Sequence, residues 1–197
     1  MRIAGILLAA GASRRFGGGK LLARLEDGST VGRRACANLI AAVPEVFAVV
    51  RVGDDDLVHE FAAAGAQTTV CADAQAGMGA SLAHGVRTAG DADAVIVALA
   101  DMPWIHPATL AAVAGELRRG ASVVVPRYQG RRGHPVGFAR MHFPELTRLG
   151  NDEGARELIA KAGDVCWIDV DDPGVLRDVD VPGDLAAHPS GEFPPAD

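Results

Sequence analysis

Three short segments hold the residues whose types and spacing suit chemistry. The first runs Leu8-Ala9-Ala10-Gly11-Ala12-Ser13-Arg14-Arg15-Phe16-Gly17-Gly18-Gly19-Lys20. Its glycines free the backbone to curl, so that N–H groups converge on an anion. Arg14, Arg15 and Lys20 add fixed positive charge, and a polyphosphate is the natural guest. The second is Ala100-Asp101-Met102-Pro103, directly after an apolar run. A carboxylate there is placed to hold a divalent cation against phosphate oxygens; it is equally suited to capping the following turn. The third is Asp178-Val179-Asp180-Val181-Pro182-Gly183-Asp184-Leu185. One of its carboxylates can complete an Mg²⁺ site, which takes one or two from the protein. Standing alone, the segment reads as a solvated acidic turn.

Two other phosphate-binding patterns fail on spacing. Arg14 and Leu21 stand where a Walker A loop has Gly and Ser or Thr. Gly11 is followed by five non-glycine residues, which breaks the dinucleotide fingerprint Gly-x-Gly-x-x-Gly. Of the 19 basic residues only Lys20 and Lys161 are lysine, so Lys20 stands out as a compact point charge in an arginine-rich background.

The elements that must position these segments alternate along the chain. Ile3–Leu8, Phe47–Val52, Gln67–Cys71, Ala94–Leu99, Ser122–Val125 and Val165–Val170 are short apolar runs that read as strands. Between them lie helical stretches at Val31–Val43, Asp55–Ala64, Met78–Thr88, Pro107–Arg119 and Glu153–Ala162, the last capped by Asn151 or Asp152. Such alternation predicts an α/β fold: one domain, a Rossmann-like three-layer sandwich with a mostly parallel sheet. Arg127–Phe138 breaks the rhythm and is expected to be a loop followed by an added, antiparallel strand. The domain is expected to span residues 1–187, with 188–197 a flexible tail rich in Pro, Gly and acidic residues. In such a sheet ligands bind beyond the carboxyl ends of the strands, where all three segments fall.

Composition narrows the partners. The net charge of −6 and 5% aromatic content argue against a nucleic-acid surface, which needs a basic face or stacking platforms. Ile3–Ala12 is too short to span a membrane and runs straight into charged residues, so it reads as a buried strand rather than a signal. Cys36, Cys71 and Cys166 form no CxxC pair. They read as small buried hydrophobes in a reducing, cytoplasmic setting.

Five pieces in order resemble the MobA-like nucleotidyltransferases: Leu8–Gly11-x-Ser13-x-Arg15-x-Gly17-x-x-Lys20-Leu21-Leu22, Ala100-Asp101-Met102-Pro103, Gly133-His134-Pro135-Val136, Asp152-x-Gly154-Ala155-Arg156, and Asp178-x-Asp180-x-Pro182-x-Asp184-Leu185. Leu-Ala-Ala-Gly at 8–11 and Gly77-Met78-Gly79-Ala80-Ser81-Leu82 bring the likeness closest to molybdenum cofactor cytidylyltransferases. Phe16 in place of Met and Val181 in place of Thr depart from the pattern without removing a charge.

The resemblance implies a nucleotide-diphospho-sugar transferase-like fold and Mg²⁺-dependent transfer of CMP from CTP to molybdopterin cofactor. It implies catalytic roles for Arg15, Lys20 and Asp101, and nucleotide contacts from Ala9, Ala10, Gly11, Ser13, Arg14, Gly17, Lys20, Gly79 and Ser81. Asp101 and Asp180 would hold Mg²⁺, His134 would face the acceptor, and a molybdoenzyme would receive the product. Three alternatives remain open. They are GTP or another nucleotide with a different phosphorylated acceptor, a non-catalytic delivery protein docking through Arg127–Arg132, and a nicotinamide or flavin oxidoreductase. Against the last stands the missing acidic residue after the second strand, where Val49-Val50-Arg51-Val52 precede Gly53.

Overall fold

The computed structural model describes residues 1–11, 13, 15–150 and 155–186. Arg14, the cap at Asn151 or Asp152 and the tail at 188–197 lie outside them. Four parallel strands, β1 (Ile3–Leu8), β2 (Val46–Arg51), β3 (Gln67–Cys71) and β4 (Ala94–Leu99), stand in the order β3-β2-β1-β4. β5 (Val123–Tyr128), β6 (Arg131–Arg132), β7 (Val136–Ala139) and β8 (Val165–Asp169) extend the sheet. β7 lies antiparallel between β4 and β5, and β8 runs parallel to β5 on its other side.

β1 and β4 are buried along nearly their whole length, which is why they read as unbroken apolar runs rather than alternating ones. Helices cover both faces. α1 (Val31–Ala42), α2 (Asp55–Ala64) and α4 (Pro107–Arg118) pack on one, through Leu39, Phe61 and Leu117 among others. α3 (Met78–Ala89), with the short α5 (Phe143–Leu146) and α6 (Arg156–Lys161), covers the other through Leu82, Val86, Leu146 and Leu158. Thr30 caps α1 by accepting a hydrogen bond from Arg33 N, and Gly65 ends α2 in the left-handed region. Among the described residues no helix is long and apolar enough to cross a membrane.

The expectation of an irregular loop from Arg127 is corrected. Arg127 and Tyr128 continue β5 and pair with Arg132 and Arg131 of β6. The two residues between them, Gln129 and Gly130, have φ of 51° and 77°. That is the left-handed pair of a two-residue hairpin turn, and a Gln at its first position hides the signal. α5 was not expected from the sequence; it is a single turn carrying Pro144.

After β8 the chain returns across the top of the sheet as a strap, residues 171–186. Asp172 anchors it: 2% exposed, it accepts hydrogen bonds from His106 N (2.8 Å), Thr109 Oγ1 (2.6 Å) and Gly174 N (3.0 Å). Arg177 stacks 3.6 Å above the Trp104 ring, and Val179 N donates to Asp101 O at 2.9 Å. Gly133 lies so close under the strap that an added Cβ would sit 2.5 Å from Val175 O. Gly133→Ala is therefore expected to lower stability by about 1–3 kcal/mol, as overpacking does, and to weaken the site below. A thermal melt checks the first effect; an unchanged melting temperature would mean the strap lifts freely.

Candidate active site

The carboxyl ends of β1 and β4 are neighbours, in register through Leu8 and Leu99, so the loops that follow them face each other. After β1 the chain turns through Gly17, Gly18 and Gly19, with φ of 88°, 100° and 65°. Side chains rarely tolerate this left-handed run, which explains the glycines. Gly18 N closes the turn on Ser13 O at 3.2 Å. Lys20 then opens a single 3-10 turn and points into the molecule; its side chain is 10% exposed.

Lys20 Nζ donates to Asp101 Oδ2 at 2.8 Å and to Asp180 Oδ1 at 3.5 Å. Arg15 donates to the other oxygen of Asp180 at 2.9 Å from an exposed position. The structure thus brings together Arg15, Lys20, Asp101 and Asp180 from three separate segments. Asp184 fixes the last of these by accepting from both Asp180 N and Val181 N at 2.8 Å.

The charges in this cluster strongly influence one another. Burial pulls the Lys20 pKa down, but the hydrogen bond and charge of Asp101, reinforced by Asp180, outweigh it, and the ammonium is held above its ordinary value. The Asp178 carboxyl is pushed up, first by partial burial and then by the charges of Asp101 and Asp180. Asp101 Oδ1 is buried and has no hydrogen-bond partner. Three carboxylates around two cations would repel a triphosphate, so the site calls for a further cation when a nucleotide is present. The orphaned Asp101 oxygen beside Asp180 is a donor set that suits Mg²⁺, which needs few protein ligands. Among the described residues no group of three or more His, Cys, Asp or Glu is arranged to hold a metal.

No hydrogen bond or ion pair among the described residues joins the remaining predicted residues to this cluster. Ala9 and Ala10 are buried at the base of the loop, and Gly11 is exposed. Gly79 and Ser81 lie on the buried side of the first turn of α3. His134 N donates to Val175 O at 2.9 Å, and its Nδ1 is buried without a partner. Burial, then the charge of Arg132, push the His134 pKa down to about 4, although Asp101 opposes them. A histidine kept neutral in the fold lets the unfolded chain bind the extra proton as acid is added. Stability is therefore whole above about pH 6.5 and is lost as pH falls towards 4. His134→Asn should flatten that part of a stability–pH profile; an unchanged slope would remove His134 as its source.

Sequence reading did not single out Asp172, Arg177 or Trp104, which hold the strap, or Arg51. Arg51 lines a cleft beside the glycine turn, together with Ser13, Gly19, Lys20 and Gly53. Its guanidinium is tied to Asp54 by two 3.0 Å hydrogen bonds. Only the spacing Arg51-x-x-Asp54 after a strand hinted at it. The three cysteines are free; Cys36 and Cys71 are buried as expected, whereas Cys166, in the outer strand β8, is only half-buried, and burial pushes the Cys36 thiol up to about 11.

The MobA-like NTP transferase domain matches residues 5–165, most of the chain. The chain belongs to the MobA-like NTP transferase family. It is 33% identical over 193 residues to the purine catabolism protein PucB of Bacillus subtilis strain 168, covering 90% of this chain and 91% of that one. The crystal structure of Rv0371c from Mycobacterium tuberculosis H37Rv superposes with a TM-score of 0.81 at 30% identity, over 93% of this chain and 94% of that one. The Rv0371c complex with manganese superposes at 0.70 and 26% identity, over 95% and 94% of the two chains. A MobA-like domain makes this chain a nucleotidyltransferase with a nucleoside triphosphate substrate.

Proposed function

We propose that this MobA-like nucleotidyltransferase transfers CMP from CTP to molybdopterin cofactor and releases pyrophosphate. The observation that carries the transfer chemistry is Lys20 Nζ, 2.8 Å from Asp101 and 3.5 Å from Asp180, beside the unpartnered Asp101 oxygen. The cytidine and pterin assignments draw on the sequence likeness at Leu8–Gly11 and Gly77–Leu82. In this reading the loop from Ala10 to Gly19 wraps the triphosphate with its N–H groups, while Gly79 and Ser81 lie against the base or ribose. Arg14 completes the loop's charge, and Asp101 and Asp180 hold Mg²⁺. That ion supplies charge neutralisation on the triphosphate and on the departing pyrophosphate.

A phosphomonoester oxygen of the acceptor, held on the His134 side, attacks the α-phosphorus. The new P–O bond forms as the bond from the α-phosphorus to its bridging oxygen breaks, and that electron pair leaves on pyrophosphate. Lys20 and Arg15 swing their charge from the carboxylates to the phosphates as negative charge moves to the leaving group. Alignment and charge neutralisation suffice, and no covalent enzyme intermediate is needed. The product would pass to a molybdoenzyme in the cytoplasm.

The test is pyrophosphate release by purified protein with Mg²⁺, molybdopterin cofactor and each of CTP, GTP, ATP and UTP. Release with CTP alone, dependent on the pterin, is expected. Preference for another nucleotide overturns the cytidine assignment. Nucleotide binding without release from any pairing overturns turnover on this acceptor and favours a delivery role.

A further inference from the structure

The hairpin that displaced the expected loop sets up an unusual group of arginines. Arg127 and Arg132 face each other across the β5–β6 pair, so they lie on one face of the sheet. Arg127 is neutralised: it binds Asp169 through two hydrogen bonds, of 3.1 and 3.0 Å, and stacks on Trp167. Arg132 is not. Arg156, the first residue of α6, is brought to the same region because Leu158 and Ile159 bury α6 against that face of the sheet. Among the described residues neither Arg132 nor Arg156 has an acidic or hydrogen-bonding partner. Arg156 nevertheless acts on Arg132: partial burial, then the charge of Arg156, lower the Arg132 pKa.

Two like charges on one face of the sheet, with no carboxylate between them among the described residues, mark a place prepared for an anion. Its position says which anion. Along the chain Arg132, His134 and Val136 alternate, and Val136 belongs to the core beneath α3 and α6. The Arg132 charge reaches His134, and so does that of Asp101. The arginine pair therefore flanks the catalytic carboxylate on the side of the sheet covered by α3 and α6. Arg15 and Lys20 approach it from the glycine turn, and a triphosphate held there leaves the pair for a second anionic group.

We infer that Arg132 and Arg156 form the seat for the acceptor's phosphomonoester, gripping it as a fork while its free oxygen meets the α-phosphorus. This rests on the nucleotidyl-transfer reading but not on the acceptor being a pterin.

The test is therefore made with inorganic phosphate as the probe. It is titrated calorimetrically into full-length protein already saturated with Mg²⁺ and a CTP analogue whose α,β-bridging oxygen is a methylene. Arg132→Gln and Arg156→Gln should each weaken phosphate binding by roughly tenfold, as loss of a charge-assisted hydrogen bond does, and the double variant should abolish it. Arg127→Gln should leave it unchanged, and Arg132→Lys should recover part of it. Phosphate binding that persists in the double variant, or is missing from the wild type, overturns the inference. So does loss of affinity for the analogue itself, which would put the pair on the triphosphate. Arginine-dependent phosphate binding in a protein that ignores molybdopterin would uphold the seat while rejecting the pterin.

Discussion

Asp101→Asn is expected to cut turnover by about 10³-fold or more, the scale seen when a charge that aligns and neutralises phosphates is lost. The reason lies in its two oxygens. One holds Lys20 at 2.8 Å; the other is buried and unpartnered. An amide keeps the shape and can still accept from Lys20, but it presents a neutral group where a divalent cation must be drawn. The fold should survive, because the strap docks on Asp101 through its backbone carbonyl, which accepts from Val179 N. The readouts are pyrophosphate release over a Mg²⁺ titration, together with a melting curve. Undiminished turnover at limiting Mg²⁺ would take Asp101 out of the site.

Lys20→Met is the second large effect, and it acts on stability as well as on rate. The methionine fills nearly the same space, so the change removes charge rather than volume. Asp101, Asp178 and Asp180 are then left facing one another without their buried cation. Breaking a buried pair in this way costs about 3–5 kcal/mol at most, and less here because Asp180 keeps Arg15 and solvent contact. Turnover should fall by about 10²–10³-fold, chiefly through weaker stabilisation of the departing pyrophosphate. Mg²⁺ should restore much of the lost melting temperature but not the lost rate. Kinetics identical to wild type would pass the role to Arg15. Lys20→Arg is not a safe control, since a planar fork cannot occupy the niche of a point charge.

The parallel strands and their helices were legible because each is long, apolar and well punctuated. Five of the six expected strands differ at their ends from the observed ones by no more than a residue, the usual spread of such boundaries. The hairpin was not legible, because Gln129 in a left-handed conformation carries none of the Asn-Gly or Asp-Gly marking that such turns normally show. In the site, Lys20 and Asp101 could be read from segments that follow strands. Asp180 alone looked like a solvated turn. What gives it a role is the strap, and the strap is held by Asp172, Arg177 and Trp104, whose contacts join residues 63 to 73 positions apart. No local pattern announces such a contact.

The strap also sets the order in which the site comes into being. Lys20 and Asp180 are separated by 160 positions, and the matched domain region ends at residue 165, before the strap starts. During synthesis the glycine turn and β4 leave the ribosome first and can pair early, as near neighbours in the sheet. The second carboxylate arrives only 160 positions after Lys20, and closing so long a loop is slow. A nascent chain at that stage holds an anion-attracting pocket without its full counter-charge. On the proposed reading such a chain is expected to bind a nucleotide without turning it over, and competence waits for the strap to dock.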